Sequence, residues 1–292
     1  MSHKSKHFLL QACKIIVILS CLGYLGWQLQ TDQFDWNSMV DFISHLPFYI
    51  YLILPVISIA SWLVESYKWQ LLVSDLEKLR FRVSVTHNLT AQAASFLTPL
   101  KAGEFATKAF YFQSSIRKKV IKAVLIGNLS QMAVTIILGL AGIALLFEQH
   151  VLAVSIFITS SGLLMLLSKT VSTWFKFNAA RIDVVTAISC VRYLVFSSCW
   201  FLVLYIISDV SIVWIFGSIA AMYLAASIIP TMQVFDVFLK WSIASFFVGY
   251  LDISLESMTA IVAIIWFNNQ VLPVLLGCGL LAFQRFPKLV TA

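Results

Sequence analysis

Two stretches, Pro99-Leu-Lys-Ala-Gly-Glu104-Phe-Ala-Thr-Lys108 and Pro230-Thr-Met-Gln-Val-Phe-Asp236-Val-Phe-Leu-Lys240, repeat one pattern inside apolar surroundings. Each sets a helix breaker ahead of an acid and a lysine spaced one helical turn apart. Acids and lysines are costly within a bilayer and mark substrate paths, ion paths or buried pairs, so a matched couple of such clusters is the strongest functional pointer in the chain. In the first stretch Glu104 follows the breaker at the start of a helix, where an anion is favoured, and Lys108 falls on the same face.

The surroundings of these stretches set the class. The chain has 292 residues, of which 60% are hydrophobic and 11% charged, and a mean hydropathy of +0.91. That is too apolar for a soluble domain, and several runs approach the ~20 residues that cross a bilayer. The expectation is an all-α integral membrane protein, one polytopic domain over residues 1–292, with no connection long enough to form a separate soluble core. The five cysteines lie in apolar segments without CxxC spacing, so they read as small hydrophobes, and neither a metal site nor a cofactor is expected. The N-terminal MSHKSKH ahead of an apolar run resembles a signal peptide, but Lys14 interrupts the run and no small-residue cleavage site follows Trp27, so a retained span is expected.

Six spans are predicted, at about 8–29, 47–70, 123–147, 151–168, 184–207 and 258–283. The intervening inserts, 85–116 and 212–250, are apolar but broken near their middles by Pro99 and Pro230. Residues 85–99 would rise only ~22 Å as helix, short of the ~30 Å hydrocarbon core, so re-entrant hairpins with tips at Pro99, Gly103 and Pro230 fit better than crossings. Connections at 30–46, 148–150, 208–211 and 251–257 contain Asp32, Asp35, Asp41, Glu148, Asp209, Asp252 and Glu256 but no Lys or Arg. The opposite side collects the lysines and arginines, including Arg117, Lys118, Lys119 and Lys122, which places it and both termini in the cytoplasm. With this orientation, residues 47–147 and 184–283 form an inverted repeat, each half containing one hairpin, and transporters of that design bind substrate near the midplane at broken helices.

Arg192 lies deep enough in its span to need a partner, for which Asp236, Glu104 or a lipid phosphate are the candidates; guanidinium suits phosphate through its fork of donors. Glu65 sits a turn deeper than Lys68 and Trp69, which read as an interfacial anchor. Asp236 and Lys240 lie in more apolar surroundings than Glu104, and a buried pair that only fixes the hairpin is the competing reading for both couples. Gly103 either admits a headgroup or allows tight helix packing. Asn128, Gln131, Asn268, Asn269 and Gln270 line a cavity or bond between helices. The cations are spread over juxtamembrane loops, which speaks against nucleic acid and for anionic headgroups at the membrane surface. Asn88-Leu-Thr90 matches a glycosylation acceptor but falls on the predicted cytoplasmic side.

The run Glu65-Ser-Tyr-Lys68-Trp69-Gln-Leu71-Leu72, then Phe96-Leu97-Thr98-Pro99-Leu-Lys-Ala-Gly103-Glu104, then Arg117-Lys118-Lys119 and Gly127-Asn128-Leu-Ser-Gln131 resembles the lysylphosphatidylglycerol synthase transmembrane family. The second hairpin departs from the family pattern, having Pro230 and Asp236 but no glycine-rich turn. The resemblance implies a multi-pass protein of the bacterial cytoplasmic (inner) membrane, and a family member without the soluble synthetase domain. Together with the charge pattern it yields a functional expectation: a flippase-like lipid translocase, with Glu65, Glu104, Lys108, Arg192, Asp236 and Lys240 lining its path. The expected partners are membrane phospholipids, anionic by charge balance, with a homo-oligomer left open. The competing class is a lipid-modifying enzyme or an accessory subunit using Glu104 or Asp236 as general base. Against an enzyme, no histidine lies within a predicted span, and no nucleophile motif or metal cluster is present.

Overall fold

The computed structural model describes Gly23, Gly26 and residues 34–229 and 231–283. Pro230, both termini and nearly all of the first predicted span lie outside the described residues. Every described element is helical. A short α1 (Trp36–His45) precedes α2 (Phe48–Val73), and α3 (Phe81–Phe96) and α4 (Ala102–Phe110) form the first hairpin. Long helices α5 (Arg117–Leu146), α6 (His150–Phe175) and α7 (Ala179–Ile207) follow. The second hairpin is α8 (Ile212–Ile228) and α9 (Asp236–Ala244), and α10 (Leu255–Phe283) closes the chain, continuous through a π turn at Phe267–Val271. Five of these helices, α2, α5, α6, α7 and α10, are long and apolar enough to cross a membrane. They coincide with the last five predicted spans.

The ends of the bundle carry opposite character. At one end Arg181 on α7 grips Asp75, just after α2, with two guanidinium nitrogens, and Trp69, Val73, Phe112, Val120 and Ile182 pack into a local core. The first hairpin leaves from this end and returns to it. At the other end the Ser208 hydroxyl donates to the Leu251 carbonyl at 2.8 Å, and Leu46, Ile50, Leu204, Ile215 and Met258 belong to the larger core. The second hairpin hangs from there, so the two enter the bundle from opposite directions.

The first hairpin turns where Pro99 opens a 3-10 turn. Leu100 and Lys101 then take left-handed backbone, each with φ of 55°, a conformation that costs of order 1–3 kcal/mol per non-glycine residue and persists where surrounding packing over-determines it. That packing begins at Gly103. A Cβ there would meet the Ala94 carbonyl oxygen at 2.1 Å, and its N–H donates to Thr98 Oγ1 at 2.8 Å. Gly103 therefore closes the hairpin; the choice between headgroup access and tight packing falls to packing.

The second hairpin is fixed differently. Its first arm α8 lies against α5 along a seam of small residues, where a Cβ on Gly142 would meet the Ala220 Cβ at 2.5 Å. Close backbone approach of this kind drives helix association where apolar burial from water cannot. By contrast α6 buries only Ala153 and Ser168 and turns the rest of its surface outward.

The seam predicts a contrast between two glycines. Gly142→Leu should lower the thermal unfolding midpoint in detergent, corresponding to roughly 1–3 kcal/mol of overpacking. Gly162→Leu on α6, where nothing lies within 4 Å, should leave the midpoint unchanged or slightly raised. Equal responses would mean that α8 is not seated on this seam.

Candidate functional site

A cavity of about 200 Å³ lies between the two hairpins and draws its wall from every helix except α1 and α6. Four of the six predicted substrate-contacting side chains reach it: Glu65 from α2, Glu104 from α4, Arg192 from α7 and Lys240 from α9. Lys108 and Asp236 stand behind as counter-ions, Lys108 Nζ 2.8 Å from Glu104 Oε1 and Lys240 Nζ 2.6 Å from Asp236 Oδ2. Both are the i, i+4 pairs that the two quoted stretches spell out.

Burial gives these pairs weight that exposed pairs lack. The side chains of Lys108 and Glu104 are 3% and 13% exposed, and Lys108 Nζ also sits 4.5 Å from the Trp69 ring centroid. Asn128 Nδ2 donates to the second Glu104 oxygen at 3.3 Å. Lys240 packs over Tyr223, with 5.4 Å to the ring centroid. An aromatic face attracts a cation by its quadrupole, most strongly where water is excluded.

The third cluster joins distant helices. Glu65 Oε2 lies 2.6 Å from Lys68 Nζ and 3.2 Å from Arg192 Nη1, so one carboxylate oxygen serves two cations. Arg192 stands near the middle of the 29-residue α7, with its Nη1 3.5 Å from Gln131 Oε1 and its guanidinium between the Trp62 and Phe196 rings. Its partner is thus Glu65, and neither Asp236 nor Glu104 takes that place. The reading of Lys68 and Trp69 as an interfacial anchor is corrected: each is 1% exposed. Lys68 is turned inward by Glu65 and by Ser189, whose hydroxyl is 3.4 Å away. Residue count from the span end suggested an interface, but α2 runs to Val73 and is enclosed there by α5 and α7.

Further lining groups were not singled out from sequence. Lys101, in the left-handed turn, lines the cavity and makes no ion pair among the described residues. Its place directly before a helix start, beside Gly103, was the available signal. Gln92 and Gln233 are others: Gln92 Nε2 donates to Gln270 Oε1 at 2.8 Å, and the Ser95 hydroxyl donates to Gln233 Oε1 at 3.2 Å. Of the predicted amides, Asn128, Gln131, Asn269 and Gln270 line the cavity. Asn268 does not: its side-chain amide donates to the Ile264 carbonyl, and its main-chain carbonyl accepts from the Ser58 hydroxyl. The π turn makes this sorting, because widening the helix locally turns Asn269 and Gln270 toward the wet side. The described residues hold no group of three metal-binding side chains.

The Glu104–Lys108 pair supplies a test. Lys108→Met would leave a largely buried carboxylate without its cation, and a loss of about 3–5 kcal/mol is expected in thermal or denaturant unfolding. Adding Glu104→Gln should recover most of it, because the charge that needed a partner is gone. A double variant no more stable than the single one would assign the role of Lys108 to its packing on Trp69.

No curated protein matches the chain. The family model described as the lysylphosphatidylglycerol synthase TM region matches residues 11–233. Glu65, Lys68, Lys101, Glu104, Lys108 and Arg192 all fall inside the match, whereas Asp236 and Lys240 lie beyond it. That match spans most of the 292-residue chain, and the protein, a multi-pass bundle of helices, belongs to the lysylphosphatidylglycerol synthase transmembrane family.

Proposed function

We propose that the protein is a lipid translocase of flippase type, moving a phospholipid headgroup between leaflets through the cavity. The observation that carries this reading is the charge balance of the cavity wall taken together with the counter-ions behind it. Lys101, Arg192 and Lys240 in the wall, with Lys68 and Lys108 behind it, stand against Glu65 and Glu104 in the wall and Asp236 behind it: five cations to three carboxylates, an excess of two positive charges. A cation at bilayer depth costs about 2.5–3.5 kcal/mol on insertion scales. An excess held there is best matched by an anionic ligand, and the Arg192 fork and the exposed Lys101 are the groups placed to take a phosphate. A headgroup can sit in such a cavity while its acyl chains remain in lipid.

In this reading the two halves, 47–147 and 184–283, form an inverted repeat whose hairpins alternately expose the cavity to either face. The basic end faces the cytoplasm, together with both termini, in a bacterial inner membrane. The lipid-enzyme reading has less support, because a general base must be free to take a proton and both candidate carboxylates are held by lysines.

Purified protein in proteoliposomes should move a labelled anionic phospholipid between leaflets with no soluble enzyme added. Arg192→Gln should slow this about tenfold or more, in line with roughly 1.5–3 kcal/mol for a hydrogen bond to a charged group. The variant should stay folded, because Glu65 keeps Lys68 as its partner. Chemically altered lipid without movement would instead favour the enzyme, and an unchanged rate in the variant would remove Arg192 from the path. Orientation has its own check: a single cysteine at position 118 in a cysteine-free background should be labelled only after the cells are permeabilised. Labelling in intact cells would invert the bundle.

A further inference from the structure

A second cavity, of about 180 Å³, lies between α5, α6 and α7 and shares no lining residue with the one between the hairpins. Its origin is the uneven seating of α6. Near the acidic end Ala153 of α6 closes on Ala141 and Ala144 of α5. Near the basic end the bulkier Val171 and Phe175 rest against the core that contains Val185. Between these two seats α6 stands off, leaving a slot lined by Val134, Ile137, Phe157, Leu164 and Cys190. The one charged group in its lining is Asp183. Asp183 is exposed and makes neither an ion pair nor a hydrogen bond among the described residues. Arg181, two residues earlier, is committed to Asp75 through two nitrogens. On α6, Lys169 follows the lining residue Met165 by one turn and is likewise exposed and unpaired among the described residues.

Lys169 and Asp183 flank the apolar spans 151–168 and 184–207, so both stand at the level of the lipid headgroups. From that level the slot runs about 18 Å along α6 to Phe157 and about 10 Å along α7 to Cys190. One leaflet of the hydrocarbon core is ~15 Å deep, half of ~30 Å. The slot therefore has the depth of one acyl chain, and its volume exceeds the ~150 Å³ that admits benzene in a dry apolar cavity. Its mouth decides between headgroups. An anionic headgroup would meet Lys169 and be repelled by Asp183. A quaternary ammonium has no N–H to give the carboxylate, whereas a primary ammonium has three. We infer that the slot between α5, α6 and α7 holds one zwitterionic phospholipid with a primary amine, of the phosphatidylethanolamine type, as a resident lipid that is not transported. Its ammonium donates to Asp183, its phosphate accepts from Lys169, and one chain fills the slot. The inference depends neither on the first cavity nor on translocation.

Native mass spectrometry of the purified full chain in detergent, with lipids of matched acyl chains, tests it. A single phosphatidylethanolamine should be retained about tenfold over phosphatidylglycerol and more strongly than phosphatidylcholine, a ratio within reach of one or two charge-assisted hydrogen bonds. Asp183→Asn should level the three lipids and leave the unfolding midpoint in lipid-free detergent unchanged, as expected for an exposed side chain without a protein partner. Ser161→Phe, which fills the slot from α6, should remove the retained copy. Cys190 supplies a second readout in a variant whose other cysteines are replaced by alanine: phosphatidylethanolamine should slow its alkylation by N-ethylmaleimide, and phosphatidylglycerol should not. Arg192→Gln, in the other cavity, should change neither readout. Phosphatidylglycerol held as tightly as phosphatidylethanolamine, or a preference that survives Asp183→Asn or Ser161→Phe, overturns the inference. So does a Cys190 already protected in lipid-free protein, since protein and not lipid would then cover the slot. Failure of translocation with this lipid still bound would overturn the transport reading alone.

Discussion

Oε2 of Glu65 holds Lys68 from its own helix and Arg192 from α7, and the polar interior of the bundle is organised around that oxygen. Two cations brought into a low-dielectric region repel each other unless an anion lies between them, and the Glu65 carboxylate is placed there. The arrangement also fixes geometry. It ties α2 to α7, positions the guanidinium between Trp62 and Phe196, and leaves Arg192 within reach of the cavity. Apolar packing alone would be satisfied by many rotations of α2 against α7. The ion cluster selects the one in which the charges meet.

The hairpins follow from a related constraint. Backbone without water must satisfy its own hydrogen bonds, so non-helical turns at membrane depth survive only inside protein or beside a wet cavity. The left-handed Leu100 and Lys101 meet that condition, because the same turn that breaks the helix delivers Lys101 to the cavity. At the π turn in α10 the helix widens without ending, and two amides turn inward. Both of these departures from regular helix coincide with side chains that line the cavity.

This division explains what was legible in the sequence. The pairs Glu104–Lys108 and Asp236–Lys240 could be read directly, since an i, i+4 spacing places partners on one face whatever the tertiary structure. The five long described helices followed from hydropathy, though α5 starts at Arg117, six residues before the predicted 123. Hydropathy stops at the basic turn; backbone hydrogen bonding does not. Partnerships across helices were out of reach. That Arg192 needs an anion follows from its depth, but that Glu65 supplies it depends on how α2 meets α7, and a single sequence does not encode that contact in any spacing. Lys68 and Trp69 were misread for the same reason, as distance from a span end says nothing about which neighbours enclose it.

The distribution of bonds also separates contacts made by charges from contacts made by neutral groups. Among the ion pairs at and behind the cavity, Glu65–Arg192 joins α2 to α7, Glu65–Lys68 lies within α2, and Glu104–Lys108 and Asp236–Lys240 each lie within one short helix of a hairpin. Between the first hairpin and the second half of the chain, the side-chain hydrogen bonds among the described residues that border the cavity are neutral: Gln92 to Gln270, and Ser95 to Gln233. Parting the first hairpin from α10 and from Gln233 exchanges those two bonds for water at about 1 kcal/mol each, and Lys108 and Lys240 each travel with their own carboxylate. Parting an ion pair at that depth would cost several times more. Separation at those contacts leaves the Glu104–Lys108 and Asp236–Lys240 pairs intact, and the Glu65 cluster keeps Arg192 tied to α2.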